Sequence, residues 1–225
     1  MSPLKITAAA HTRNIGIVAI CDHNSAENAA AVMWAAGSAE VVVLPGMEVC
    51  TREEIHVLAI FGSLEAAFAL QAEVYDHLTG RNDPDVFGLQ VVANERDEVV
   101  AFQDKLLIGA VDMPVDRVVN EIHRLGGIAI AAHVDRESYS VVSQLGFIPE
   151  TPAFDAFELT GHIGDHDARK RFGGSTVRTW IRNSDAHQLD DLGKNTCEYL
   201  LERPTFDEIR MALGRVNGRT VCGAS

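Results

Sequence analysis

Short apolar runs alternate with amphipathic segments along most of the chain. The apolar runs predict buried strands over residues 15–21, 40–46, 53–61, 126–134, 153–160 and 176–187. The segments between them follow a helical repeat and predict helices over residues 3–12, 25–36, 63–78, 114–125, 138–145 and 205–215. This alternation of strand and helix is typical of an α/β domain with a largely parallel sheet.

The pattern predicts a single domain over residues 1–225, because no linker or break in composition interrupts it. A hydrophobic content of 47% is ample for one core of this size. One segment departs from the strand–helix rhythm. Residues 87–102 contain two β-rich runs around a polar turn, and they predict an inserted β-hairpin.

Side chains that can bind a metal recur where the predicted strands end, and one more lies inside a strand. They are Asp22, His23, Glu48, His56, His133, Asp185 and His187. Because the carboxyl ends of parallel strands meet at one edge of a sheet, we expect these side chains to converge. Carboxylate and neutral imidazole are ligands for Zn, Mn or Fe, and the two oxygens of Glu48 could bridge two ions.

Each of these residues also has a simpler interpretation. A lone histidine such as His133 is more often a hydrogen-bonded residue of the core than a ligand. Asp22 could cap the helix that follows it, and Glu48 could cap a helix or form an ion pair. The recurrence of such residues at one structural position favours the metal interpretation over these alternatives.

Composition narrows the classes of partner. The chain carries 19 Lys and Arg against 32 Asp and Glu, a formal net charge of -13, which predicts that neither nucleic acid nor an anionic membrane is a partner. The four cysteines form no C-x-x-C pair, and the first residues lack a signal-peptide pattern, which together predict a reduced cytoplasmic protein. No apolar run reaches the length of a transmembrane helix.

Five stretches of the chain resemble the successive motifs of the polymerase and histidinol phosphatase (PHP) family. They are "IVAICDHNSAEN", "PGMEV", "EEIHVLAIF", "GGIAIAAHVDR" and "NSDAH". The resemblance implies a distorted (β/α)7 barrel with two or three divalent metal ions at the carboxyl ends of the strands. It implies the metal ligands His23, Glu48, His56, His133, Asp185 and His187, with Glu48 bridging.

Two further residues have candidate roles, Asp22 from the chemistry of a metal centre and Arg136 from the resemblance. Asp22 would orient a ligating histidine or accept a proton, which makes it the candidate catalytic residue. Arg136 would contact a substrate phosphate, although an arginine at this position could equally form a surface ion pair.

The sequence departs from the family at one motif. PHP proteins open with a strand that ends in H-x-H, and this chain contains no H-x-H. We therefore expect a barrel that lacks its first strand and holds fewer metal ions. We also expect an in-frame strand ending in H-x-H to be encoded upstream of Met1, with the present start misassigned or produced by truncation. The uncovered sheet edge would allow pairing with a second copy of the chain.

The function predicted from these features is hydrolysis of a small phosphorylated metabolite by metal-activated water, the reaction of a metal-dependent phosphoesterase. Two alternatives remain open. One is a catalytically impaired metal-binding domain with a regulatory or assembly role, because the H-x-H pair is absent. The other is a metal hydrolase of C–N or C–O bonds, because the same activated water can attack carbon.

Overall fold

A computed structural model describes residues 1–37, 40–172 and 178–224. Its helices are α1 (Pro3–Thr12), α2 (Ala29–Ala36), α3 (Leu64–His77), α4 (Pro84–Phe87), α5 (Val115–Arg124), α6 (Val141–Leu145), α7 (Asp165–Phe172) and α8 (Phe206–Leu213). Its strands are β1 (Ile17–Ile20), β2 (Val42–Cys50), β3 (His56–Ile60), β4 (Val91–Ala93), β5 (Val99–Phe102), β6 (Ile128–Ala131), β7 (Ala156–Leu159), β8 (Trp180–Arg182), β9 (Cys197–Leu200) and β10 (Thr220–Ala224).

Six strands form one curled sheet in the order β1-β2-β3-β6-β7-β8, which makes a half-barrel with helices packed around it. Strands β1 and β2 are parallel to each other, and β6, β7 and β8 form a second parallel group. Strand β3 is antiparallel to both of its neighbours. The α/β class and the barrel-like curvature predicted from the sequence are confirmed.

The direction of β3 differs from the expected uninterrupted βαβ rhythm. Only five residues separate the end of β2 from the start of β3, and that distance allows a tight turn but no helical crossover to a parallel strand. The antiparallel register places Cys50 opposite His56. As a result, the amino end of β3 lies at the carboxyl end of β2. Of the last predicted strand, residues 176–177 lie outside the described part of the chain.

The helices form where apolar positions recur at helical spacing. Helix α5 buries Val115, Val118, Val119 and Ile122. Helix α3 begins after Ser63, whose hydroxyl accepts a hydrogen bond from the Ala66 amide. Among the described helices, none combines the length and the apolar character needed to cross a membrane.

Two antiparallel ribbons accompany the main sheet. Strands β4 and β5 form one ribbon inside the segment 87–102. The Asp97 carboxylate at its turn accepts hydrogen bonds from the Ser2 hydroxyl at 2.7 Å and the Leu4 amide at 2.9 Å, so this ribbon caps the first turn of α1. Strands β9 and β10 form the second ribbon, for which the sequence pattern made no prediction.

Candidate metal centre

Three neighbouring strands of the half-barrel bring the candidate ligands together. Glu48 lies within β2, His56 begins β3, and His133 follows β6. His23, two residues after the Cys21 that ends the predicted first strand, forms an isolated parallel bridge with Glu48. The sheet therefore brings together four residues that are distant in the chain.

The three histidine side chains surround the Glu48 carboxylate. Its Oε2 lies 3.1 Å from His23 Nδ1 and 3.2 Å from His56 Nδ1. Its Oε1 lies 3.6 Å from His133 Nε2. The His56 Nδ1 and His133 Nε2 atoms are themselves 3.3 Å apart. Three ring nitrogens thus lie within 3.6 Å of one carboxylate.

Glu48 is 5% exposed, and its ion pairs within the described residues are all with these histidines. Burial raises the pKa of Glu48, but the hydrogen bonds with His133, His23 and His56 outweigh burial and hold that pKa below its usual range. The hydrogen bond to Glu48 raises the pKa of His23. The three imidazoles therefore stabilise the ionised form of the buried Glu48 carboxyl group, and a cation could take over that role.

The donor set fits a divalent metal. Ligand atoms of His23, Glu48 and His56 all lie within 4.8 Å of one another. The His133 side chain is 2% exposed, and its Nδ1 has no hydrogen-bond partner among the described residues. Imidazole nitrogens and carboxylate oxygens that lie this close together match the ligands of zinc and related ions. The His–Glu–His group supports a divalent metal without identifying the element.

The other two predicted ligands lie at a more open part of the site. Asp185 Oδ2 is 2.5 Å from Arg136 Nη2, and Asp185 Oδ1 is 3.8 Å from His187 Nδ1. The His187 side chain is 64% exposed, and its ring centroid lies 6.0 Å from that of His23. The loop after β8 therefore brings Asp185 and His187 beside the cluster, with Asp185 held by an arginine.

The candidate catalytic residue Asp22 and the candidate substrate-binding residue Arg136 have separate hydrogen-bond partners. The Asp22 carboxylate accepts a hydrogen bond from Asn28 Nδ2 at 3.1 Å. Asn28 also bonds the backbone of Val91 and Ala93, which links Asp22 to the β4–β5 ribbon. Arg136 forms the ion pair that the sequence allowed, but its partner is Asp185, another predicted site residue.

Sequence reasoning missed three residues of the site. Glu158 in β7 is 3% exposed and lies against the His133 loop, and burial raises the pKa of its carboxyl group. Asn183 donates to Glu158 at 2.8 Å. Tyr139 stacks on the His56 ring with centroids 4.7 Å apart. An acidic residue inside the apolar run 153–160 was the available signal for Glu158.

A cavity of about 910 Å³ extends from this site along the inner face of the half-barrel. At one end its walls are polar and include Asp22, His23, Glu48, Glu158, Asp185 and His187. Elsewhere the walls are largely apolar and include Leu44, Leu58, Ile130 and Ile181. A concave apolar cavity with a few convergent polar groups is the usual form of a binding site.

We compared the chain with known protein families, sequences and solved structures. The chain matches no family model and no curated protein sequence. Its fold is similar to that of the lesion-specific endonuclease PfuEndoQ from Pyrococcus furiosus, with a TM-score of 0.67, 17% identity and coverage of 100% of this chain and 54% of that one. The fold is that of a PHP-like domain.

Two further solved structures share the PHP-like fold. An Endonuclease Q complex with a 27-mer duplex that carries an abasic lesion at the active site matches with a TM-score of 0.69 and 17% identity, over 96% of this chain and 52% of that one. A protein from Bifidobacterium adolescentis, assigned as a metal-dependent phosphoesterase, matches with a TM-score of 0.57 and 17% identity, over 96% and 91%. The chain thus spans about half the length of the Endonuclease Q chains.

The comparison with Endonuclease Q corrects one expectation. The net charge of -13 predicted that nucleic acid is not a partner, but a protein with this fold binds a DNA duplex at its active site. The error has a physical reason. Net charge averages over the whole surface, whereas a phosphate at a metal centre responds to the local charge of the ion, which net charge does not report.

Proposed function

We propose that this chain is a metal-dependent phosphoesterase whose divalent metal is held by His23, Glu48, His56 and His133. The observation that carries the proposal is the convergence of three imidazole nitrogens on the buried Glu48 carboxylate, at the polar end of a large cavity. Fold similarity to a metal-dependent phosphoesterase supports the same reaction class.

The remaining predicted ligands have proposed roles at the open side of the centre. When bound, a divalent cation supplies positive charge to phosphate oxygens and increases the acidity of water. Asp185 and His187 complete the ligand set from the loop after β8. Their exposure leaves that side accessible to a substrate.

The protein's own side chains would bind the phosphate and move the proton. The Arg136 guanidinium is 44% exposed and lies beside Asp185, so it can form a charge-assisted hydrogen bond with a phosphate oxygen. We propose that Asp22 accepts a proton during hydrolysis, with Asn28 fixing the carboxylate that faces the cavity.

The proposal also includes the class of substrate. The sequence suggested a small phosphorylated metabolite, whereas Endonuclease Q binds duplex DNA with an abasic lesion at its active site. We propose that the substrate is a phosphodiester of nucleic acid, because the phosphate would be bound at the metal centre rather than by the average surface charge.

Hydrolysis assays with purified protein test this proposal. Bis-p-nitrophenyl phosphate and a fluorescent DNA duplex with an abasic site are incubated with metal-stripped protein, with and without added Zn²⁺ or Mn²⁺. We expect metal-dependent product that disappears in Glu48→Gln. The control Asp190→Asn changes a carboxylate that is 96% exposed and should retain the rate. Turnover that does not depend on metal, or that survives Glu48→Gln, would contradict the proposal.

The same assay separates the alternatives. Metal binding without turnover of either phosphodiester or of p-nitrophenyl phosphate would favour a catalytically impaired metal-binding domain. Turnover of an amide or lactone in place of the phosphate esters would favour a hydrolase of C–N or C–O bonds.

A further inference from the structure

One buried carboxyl group at the centre, that of Glu158, accepts hydrogen bonds from two segments that carry candidate metal ligands. Glu158 lies in β7 and is 3% exposed, so its position is costly unless its oxygens accept hydrogen bonds. Its Oε2 accepts from the His133 backbone amide at 3.1 Å, and its Oε1 accepts from Asn183 Nδ2 at 2.8 Å. Both oxygens are therefore used, and each is bonded to a different loop.

The first of these loops carries His133. The backbone of His133 has φ = 29°, in the positive region that residues other than glycine rarely adopt. The Glu158 backbone carbonyl also accepts from the Val134 amide at 2.9 Å. Glu158 thus bonds two successive amides of a strained turn, and a strained backbone persists only where its surroundings hold it.

The second loop carries Asp185 and His187. Asn183 directly follows β8 and begins this loop, and Asp185 has φ = 43°, again a positive value. A single carboxylate therefore joins the two strained segments that present candidate ligands from β6 and β8.

We propose that Glu158 is a positioning residue that holds the His133 and Asp185 loops in the arrangement required to bind the metal. The inference rests on the proposed metal centre and adds a residue that acts through its neighbours. Outer groups that orient metal ligands typically contribute about tenfold to a hundredfold in metal affinity.

The test measures Zn²⁺ affinity by competition with a chromogenic chelator, well below the melting temperature of each variant. Glu158→Met keeps the approximate volume and removes both acceptors, and it should weaken Zn²⁺ binding by about tenfold to a hundredfold. In Glu158→Gln, the side-chain oxygen can still accept a hydrogen bond from the His133 amide. The new side-chain NH₂ group can donate to the Asn183 side-chain oxygen once the Asn183 amide rotates. We expect this variant to bind within about threefold of the wild type, because one hydrogen bond is exchanged and none is lost.

A second buried glutamate provides the matched control. Glu208 is 8% exposed and accepts from the Glu202 amide and from Arg219, with no contact to the centre. Glu208→Met should lower the melting temperature and leave Zn²⁺ affinity unchanged. A purely structural role for Glu158 predicts the same result for Glu158→Met.

Wild-type affinity in folded Glu158→Met would overturn the inference and leave the metal centre intact. If Glu158→Met does not fold, Asn183→Ala decides, since it removes one of the two bonds and should weaken binding by about threefold to tenfold. Unchanged affinity in that variant would equally overturn the inference. Failure of the wild type to bind Zn²⁺ would instead overturn the proposed function and this inference with it.

Discussion

The two halves of the candidate centre are built differently. Around Glu48, the side chains of His56 and His133 are 11% and 2% exposed and converge on a buried carboxylate. Around Asp185, the carboxylate is paired with Arg136 and the neighbouring His187 is 64% exposed. The first half is preorganised by strand pairing, whereas the second lies on a loop. We therefore expect the residues around Glu48 to contribute most of the affinity for the metal. The residues around Asp185 should contribute more to substrate binding.

The strongest way to break this comparison is to remove the charge of Glu48. Glu48→Gln keeps the shape but eliminates the anion that all three histidines surround. Loss of a direct ligand should exceed the effect of an outer group, so we expect Zn²⁺ affinity to fall by more than about a hundredfold. Chelator competition measures this change, with Asp190→Asn as the control. A change of less than tenfold would show that Glu48 is not a ligand.

A matched pair of histidine variants compares the two halves directly. His133→Ala should lower Zn²⁺ affinity by about tenfold to a hundredfold, because its nitrogen belongs to the buried cluster. His187→Ala should lower Zn²⁺ affinity by less than about fivefold. The His187 side chain is 64% exposed, and the rotamer freedom that it loses on binding a metal offsets part of the binding energy. Equal losses in the two variants, measured by the same titration, would remove the distinction between the halves.

Competition between protons and the metal for His23 should make Zn²⁺ affinity in the Glu48 half depend on pH. The hydrogen bond to Glu48 raises the pKa of His23, so the proton persists on this ring to a higher pH than on a free imidazole. The metal must displace that proton, and affinity should therefore rise with pH up to the raised pKa, by about tenfold per pH unit for one proton. Zn²⁺ titrations between pH 5.5 and 8 measure the slope. In His23→Ala the slope should be smaller, and an unchanged slope would exclude His23 as the proton donor.

A change in metal affinity as small as that of His187→Ala, but of opposite sign, is expected at Arg136. The Arg136–Asp185 pair is partly exposed, and such pairs contribute about 0.2–1 kcal/mol. Arg136→Gln frees Asp185 for the metal and should raise Zn²⁺ affinity by no more than about fivefold. The same variant should raise KM for bis-p-nitrophenyl phosphate, because a phosphate contact is lost. Weaker metal binding with unchanged KM would contradict this assignment.

The sequence predicted the parts of the fold that depend on local periodicity. The apolar spacing in residues 114–125 identified α5, and the run 15–21 identified β1. The direction of β3 was not predictable from the alternation of elements, because it depends on the five-residue connection from Cys50 to His56. Local patterns specify the elements, whereas pairing direction depends on how the connections close.

Some residues of the candidate site were likewise predictable from local sequence, and others were not. Side chains that follow apolar runs, such as His23 and His133, were identifiable because polar residues at strand ends stand out in the sequence. Glu158 was not identified, because its role depends on amides and side chains contributed by two other loops. The partner for Arg136 was likewise hidden, since Asp185 is 49 residues away in the chain.

Anomalous X-ray diffraction from crystals grown with Zn²⁺ or Mn²⁺ tests the central claim most directly. We predict an anomalous peak within ligand distance of His23, Glu48 and His56, with His133 on its buried side, and loss of that peak in Glu48→Gln. A peak only at other carboxylates, or an equal peak in the Glu48→Gln crystals, would contradict the assignment of the metal centre.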